Sequence, residues 1–379
     1  MDDADDVTVT YAGKHYYLQN HSVAIVRAAT GEVVFNSSVL EVGSAAMDAE
    51  PQHAIAAVPR SSSWTVYQEA AGGTGCAKHQ ASPKSPIEQL HLTGGGTACS
   101  DYYSDYLWYT TTVPTATNGA YKVSSRGAGG TIMYHYVDGK ELPTVHTNRK
   151  MPADTLEEQD ELDAIPEEFS AVGHHQAASD LATVTLQILS VGMGLSNGGV
   201  GPKSVKGLQS ASVNGVDLTN NSWNHAWMMP AEEKAIWTTA GSASVAWKPA
   251  TEANSNSSLT WFRSTWDLPA SSEDDPVSQV SYAMDMSSAS KGVVFVNGFE
   301  LGRYYITPGG CHGKCAPPIK NGHCYMHWSD CDEPTQTLYH IPTPVLKPTG
   351  NEVVFFEEKG GVGLGNLGKI QMVKLTAKN

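Results

Sequence analysis

Apolar and polar positions alternate with a period of two along much of this chain. In "ATVTLQIL" (182–189), Ala182, Val184, Leu186 and Ile188 fall on one side, and Thr183, Thr185 and Gln187 on the other. That is the pattern of a half-buried strand. Residues 21–40, "HSVAIVRAATGEVVFNSSVL", are two β-branched runs joined at Thr30-Gly31, which reads as a hairpin. From "PIEQLHL" (86–92) onward, short strands follow one another between turn residues. One stretch departs from this rhythm. "ADTLEEQDELDAIPEEF" (153–169) has helix formers, a cap at Asp154 or Thr155, apolar Leu156, Leu162 and Ile165, and a stop at Pro166. Its charges fit a solvated acidic insertion better than a recognition helix.

One aromatic strand occurs twice, as "SDYLWYTTTV" (104–113) and "SLTWFRSTWDLP" (258–269). A Pro-containing turn, a Ser- and Gly-rich turn and a β-branched or aromatic strand follow each copy. Each copy then reaches a hairpin dipeptide, Asp138-Gly139 or Asn297-Gly298, with Glu-Leu one residue beyond. Two copies of one strand-and-turn order predict duplicated β-sandwiches. The expected fold is all-β: a small antiparallel domain (1–63), a linker (64–83) and two jelly rolls (84–248 and 249–379). The first jelly roll carries the acidic insertion and the second a Cys-rich loop at 311–331.

Composition narrows the function. The 379 residues are 40% hydrophobic and 17% charged, and the net charge of −15 disfavours nucleic acid or an anionic membrane as partner. No run approaches the ~20 apolar residues of a membrane span. The opening "MDDADD" lacks the basic and apolar regions of a signal peptide. Cysteines cluster as Cys76 and Cys99, then Cys311, Cys315, Cys324 and Cys331. An even count in local groups reads as disulfides in an oxidising compartment. The later four, with His312, His323 and His327, could instead hold zinc, although their spacing fits no common frame tightly. Sequons at Asn20, Asn36, Asn220 and Asn256 are compatible with secretion. Secretion without a leader suggests a piece of a longer protein.

"SVAIVRAATGEVVFNSSVL", "SDYLWYTTTV", "GLQSASVNGVDLTNNSW", "LTWFRSTWDLP", "SSASKGVVFVNGFELGRYY" and "EPTQTLYHIPTPVLKPTGNEVVFFEEKGG" occur here in one order. In that order they resemble the C-terminal, non-barrel half of family 35 glycoside hydrolases, the plant-type β-galactosidases. The acidic stretch at 153–169 departs from the family pattern. The resemblance implies hydrolysis of galactosides by two glutamates of a (β/α)8 barrel preceding this region. It therefore implies no catalytic residue here, and no cofactor or metal. The expected partners are that barrel and galactosides or galactose-containing glycans. It also favours disulfides over zinc in the Cys-rich loop. The compartment it implies is extracellular or cell-wall, or else lysosomal or vacuolar. A free-standing carbohydrate-binding or structural protein derived from the family is the alternative.

Two further motifs carry less. Glu357 and Glu358 are adjacent on a strand, so they point to opposite faces and cannot flank one glycosidic bond. Gly363, Gly365 and Gly368 spell G-x-G-x-x-G, but "KIQMVKL" after them alternates like a strand where a dinucleotide site needs a helix. Sugars stack on exposed aromatic faces while polar side chains grip hydroxyls, so Tyr304, Tyr305 and Trp328, with Arg303 as a directional donor, in or beside the Cys-rich loop, are the candidate carbohydrate or barrel-contact surface. Trp108, Tyr109 and Trp261 are expected in the core.

Overall fold

The computed structural model describes residues 7–11, 13–18, 24–27, 30–36, 53–72, 104–127, 131–146, 167–176, 181–192, 207–269, 280–306, 314–315, 326–327 and 336–377. The chain divides into two compact units. The first comprises residues 1–55 with 277–280 and 375–379. It contains the hairpin β1 (Val7–Tyr11) with β2 (Lys14–Leu18) and the hairpin β3 (Ala24–Arg27) with β4 (Glu32–Asn36). The Thr30-Gly31 turn joins β3 to β4, with Gly31 at φ +69° and its N–H donating to the Arg27 carbonyl. Lys14 Nζ donates to the Thr30 carbonyl and Tyr16 Oη to that of Gly31, which ties one hairpin to the other.

The chain continues through β5 (His53–Ala57) and β6 (Thr65–Gln68). Next come β7 (Tyr106–Pro114), β8 (Ala120–Gly127), β9 (Thr131–Val137), β10 (Lys140–Leu142) and β11 (Thr144–His146). β12 (Glu167–His174), β13 (Thr183–Gly192), β14 (Leu208–Val213), β15 (Val216–Asp217) and β16 (Asn224–Trp227) follow. Short helices α1 (Pro230–Glu233), α2 (Thr239–Ser242) and α3 (Glu252–Ser255) surround β17 (Lys248–Pro249). The rest is β18 (Thr260–Trp266), β19 (Val280–Asp285), β20 (Lys291–Val296), β21 (Phe299–Tyr305), β22 (Lys314–Cys315) and β23 (Met326–His327). It ends with β24 (Leu338–Ile341), β25 (Asn351–Glu357), α4 (Gly363–Leu367) and β26 (Gln371–Ala377).

The internal repeat is a repeat of topology. One pair of sheets has the orders β10-β9-β13-β7-β16 and β11-β12-β8-β14-β15. The other pair has the orders β21-β20-β25-β18-β6-β17 and β24-β19-β26-β5. Putting β18 for β7, β19 for β8, β20 for β9, β21 for β10, β24 for β12, β25 for β13 and β26 for β14 makes the shared strands coincide. β6 then takes the place of β16. The stretch at 65–68, expected in a linker, is therefore a strand of the second sandwich. Trp64 and Val66 are buried there, alternating with Thr65 and Tyr67, and β6 pairs with β18. The Gly-rich composition behind the linker reading begins only after this strand.

Alternation explains the layers. Leu107, Tyr109 and Val113 of β7 face β8, β12 and β14 in the core of the first sandwich. Phe262 and Trp266 of β18 enter the second core with Met284, Ile341 and Phe355. The other faces of the same strands are also buried. Tyr106, Trp108, Tyr134 and Tyr136 of the first sandwich meet Trp261, Val293, Phe295, Val354 and Phe356 of the second in a third apolar layer. Trp108 and Trp261, the marker of each repeat, are both fully buried in that layer. The two sandwiches that share this layer lie in one compact unit. Trp237 stacks on Phe295 at 4.5 Å, and Trp261 on Phe356 at 4.7 Å, extending its aromatic packing.

The duplicated hairpin dipeptides have a shared task. Asp138 and Asn297 sit at φ +46° and +51°, a region that short polar side chains tolerate. Asp138 N–H donates to the Thr185 carbonyl, and Thr185 N–H donates back to Asp138 Oδ1. Asn297 and Glu352 exchange the same two bonds. Each side chain thus fastens its hairpin to the neighbouring central strand. The remaining atom decides the local chemistry. The Asn297 amide donates to the Val345 carbonyl, whereas the acceptor-only Asp138 carboxylate requires a donor and receives His175 Nε2 at 2.9 Å. Asp138→Ala is expected to cost about 1–2 kcal/mol, through a stranded strand N–H and an unfavourable φ. Urea unfolding checks this, and Asp138→Asn should retain most of the stability.

Candidate functional site

The second sandwich presents its candidate residues along β21 and β20. A β-bulge between Val294 and Phe295 shifts the register of the pair and places Arg303 opposite Val293, on the face turned toward the first sandwich. Arg303 Nη1 donates to Asp105 Oδ2 at 2.9 Å, and Nη2 donates to Glu358 Oε1. Lys291 pairs with Glu358 Oε2. Tyr106 Oη completes the ring of donors, reaching Glu358 Oε1 at 2.8 Å. Glu358 is fully buried and Lys291 is 1% exposed. Burial alone would push the Glu358 carboxyl up, but Lys291 and Arg303 beside it reverse that and hold it below its usual value. Burial likewise pulls the Lys291 ammonium down, against the pull of Glu358. This bridge joins Asp105 and Tyr106 of the first sandwich to Lys291, Arg303 and Glu358 of the second.

Glu357 points the other way. Ser290 and Lys291 donate backbone N–H groups to it, as does Lys359, and Tyr304 Oη lies 3.2 Å away. Burial pushes its carboxyl up to about 7. The adjacent glutamates are thus committed to opposite sides of β25, each fully buried. Neither lies in a position to meet a sugar.

The four candidate carbohydrate residues have different fates. Tyr304 is fully buried and donates to the Phe356 carbonyl at 2.7 Å, so its ring has no face left for a ligand. The Arg303 guanidinium is held by Asp105 and Glu358, with its side chain 23% exposed. Tyr305 is 49% exposed at the end of β21, opposite Lys291. Trp328 lies outside the described residues. So do Cys76, Cys99, Cys311, Cys324, Cys331, Asn20 and the acidic stretch up to Pro166. Only the pairing of β22 with β23 is described around Cys315. Among the other sequons, Asn36 ends β4, while Asn220 and Asn256 are exposed. The glycine motif forms the five residues of α4, where Leu364 N–H donates to Glu252 Oε2, a carboxylate in the place a pyrophosphate would take. β26 then follows as a strand.

Two acids absent from the sequence reading lie in the same apolar layer. Glu69 Oε1 accepts from Ala231 N–H and from Trp261 Nε1, while its buried Oε2 has no partner among the described residues. Burial pushes this carboxyl up to about 7. Glu232 accepts from Ser104 Oγ and Met229 N–H, and burial, with Glu69 and Asp105 adding to it, pushes it up to about 8. Among the described residues no group of His, Cys, Asp and Glu is placed to hold a metal ion. No helix among them is long and apolar enough to cross a membrane.

Residues 259–351 match the family described as the galactose-binding domain of β-galactosidase. Nearly the whole chain is similar to plant β-galactosidases. It is 28% identical over 368 residues to Beta-galactosidase 11 of Oryza sativa subsp. japonica, covering 94% of this chain and 37% of that protein. With Beta-galactosidase 8 of Arabidopsis thaliana it shares 28% identity over 390 residues, covering 95% of this chain and 40% of the relative. Beta-galactosidase 10 of Arabidopsis thaliana is 27% identical over 382 residues, with coverages of 95% and 46%. The chain thus spans less than half the length of these relatives.

Proposed function

We propose that this chain is the accessory β half of a β-galactosidase-like glycoside hydrolase. It supplies galactoside recognition and a docking frame for a catalytic (β/α)8 barrel, in an extracellular setting. The observation that carries this reading is the match of residues 259–351 to a galactose-binding domain, within a similarity spanning nearly the whole chain. Its geometry supports a non-catalytic role: a retaining mechanism needs two carboxyls about 5–5.5 Å apart across an accessible bond, and Glu357 and Glu358 are buried back to back. The exposed Tyr305 ring at the end of β21 is the surface assigned to the sugar, and Arg303, two residues before it, is the candidate donor. An aromatic face covers the C–H side of galactose, and a directional donor selects a hydroxyl.

Two measurements test this. The purified chain should turn over no chromogenic β-galactoside, and turnover by a contaminant-free preparation would overturn the non-catalytic assignment. Galactose and lactose should perturb the NMR signals of residues 299–306. Tyr305→Ala should weaken that response severalfold at unchanged thermal midpoint. Absence of any response in residues 259–351 at high sugar concentration removes the recognition role from this domain.

A further inference from the structure

A cleft of about 630 Å³ opens at one end of the first sandwich, outside the matched galactose-binding domain. The β7–β8 turn forms one wall, and the ends of the β12–β13 connection form the other. Thr117, Asn118, His174, Gln176, Leu181 and Ala182 line it. Its volume falls within the ~300–1,000 Å³ typical of small-molecule sites.

Both walls are fixed before any ligand arrives. Thr115 N–H donates to the Ala182 carbonyl at 3.0 Å, and Thr115 Oγ1 donates to that of Leu181 at 2.6 Å. From the other side, His175 N–H donates to the Gly119 carbonyl at 2.8 Å. Gly119 is at φ +68°, and a Cβ there would lie 3.0 Å from the His175 carbonyl oxygen, so this close approach requires glycine. Asp138 holds the His175 ring through Nε2; a carboxylate only accepts, so that nitrogen carries the proton. Lys140 Nζ reaches the His174 carbonyl at 3.3 Å. A wall held at five points loses little conformational freedom on binding.

The duplication supplies an internal comparison. In the second sandwich the corresponding connection between β24 and β25 packs inward. Leu268 N–H meets the Pro348 carbonyl, and the Asn297 amide meets that of Val345. Val345 and Leu346 pack against the core there. In the first sandwich the equivalent turn residue is Asp138, whose remaining partner is a histidine side chain on the cleft wall.

The lining chemistry is selective. Among the described residues its lining carries amides, hydroxyls and imidazoles and no Asp, Glu, Lys or Arg, in a chain of net charge −15. Asn118 uses Oδ1 to accept from Ala120 N–H, leaving its Nδ2 donors available. Gln176 offers a donor and an acceptor together, the pair a vicinal diol demands. Leu181, 54% exposed, and Ala182 supply an apolar strip for a C–H face.

We propose that this cleft is a second binding site, for a neutral saccharide unit, on the first sandwich. It is independent of the Tyr305 surface and stands whether or not that surface binds galactose. The test is an NMR titration of the whole chain with galactose, lactose and, as the charged arm, galacturonate. Galactose or lactose should shift residues 115–119 and 174–176. His174→Ala and Gln176→Ala, both at exposed positions, should weaken the effect about tenfold while leaving the thermal midpoint and the shifts of residues 299–306 unchanged. Tyr305→Ala should leave the cleft response intact. Silence of the cleft toward the neutral sugars at high concentration overturns the proposal. Equal response in the two variants, or stronger binding of galacturonate than of galactose, does so as well.

Discussion

Glu358→Ala is expected to lower the unfolding free energy of the chain by about 3–5 kcal/mol, the usual cost of breaking a buried ion pair from one side. The carboxylate accepts from Tyr106 Oη and Arg303 and pairs with Lys291. Its removal leaves the Lys291 ammonium, 1% exposed, beside the Tyr134 ring with no anion of its own. Asp105 is already ion-paired with Arg303. A smaller side chain also opens a void between layers, adding to the loss. Charge rather than volume should dominate, and a double variant separates them. Lys291→Met with Glu358→Gln removes both charges at similar volume and leaves Arg303 with Asp105, so it should recover most of the lost stability. Urea unfolding of wild type, single and double variants decides the matter. A single variant within about 1 kcal/mol of wild type, or a double variant no better than the single, would refute the account.

This bridge shows where the sequence was legible and where it was not. "KGVVFV" reads as a buried strand, and its alternation puts Lys291 on the same side as Val293 and Phe295. What it does not show is that this outer face is covered. That depends on the third apolar layer, which forms only when the outer faces of two sheets far apart in the chain meet. For the same reason Arg303 was legible as a directional donor but not as one already engaged, and Tyr304 as an aromatic but not as a core residue. The β-bulge beside Phe295 changes the parity of β21, and no residue pattern announced it. Repeats, hairpin dipeptides and strand order were readable because they rest on local propensities and on a period of two. Glu69 and Glu232 were invisible, because single acids outside a motif look like surface residues until something packs over them.

Those acids make stability depend on pH in a defined direction. Glu69 and Glu357 carry folded pKa values of about 7, against 4.5 for the ordinary carboxyl, and Glu232 about 8. Between the two values the folded chain binds more protons than the unfolded one. The stability they contribute is therefore complete in acid and is lost as pH rises through 7 to 8. Buried His135 and His225 act oppositely: burial lowers them to about 3 and 4 from 6.5, so they weaken the fold as pH falls below 6.5. Above 6.5 the carboxyls act without that opposition. The thermal midpoint should therefore fall steadily from pH 6.5 to 8. Glu69 is the clearest contributor, 5% exposed, with an orphan oxygen that ionisation would leave charged and unsolvated. Lys234 is the cation acting on it among the described residues, and the carboxyl rises in spite of it. Its shift corresponds to an effect on the order of 3 kcal/mol across the window. Glu69→Gln copies the shape of the protonated acid and keeps an acceptor for Ala231 N–H and Trp261 Nε1. At pH 8 it should be more stable than wild type, and at pH 5 equal or slightly weaker. Thermal melts of both proteins across pH 5–8.5 test this, and a variant whose midpoint follows the wild-type pH profile in parallel would sink the assignment.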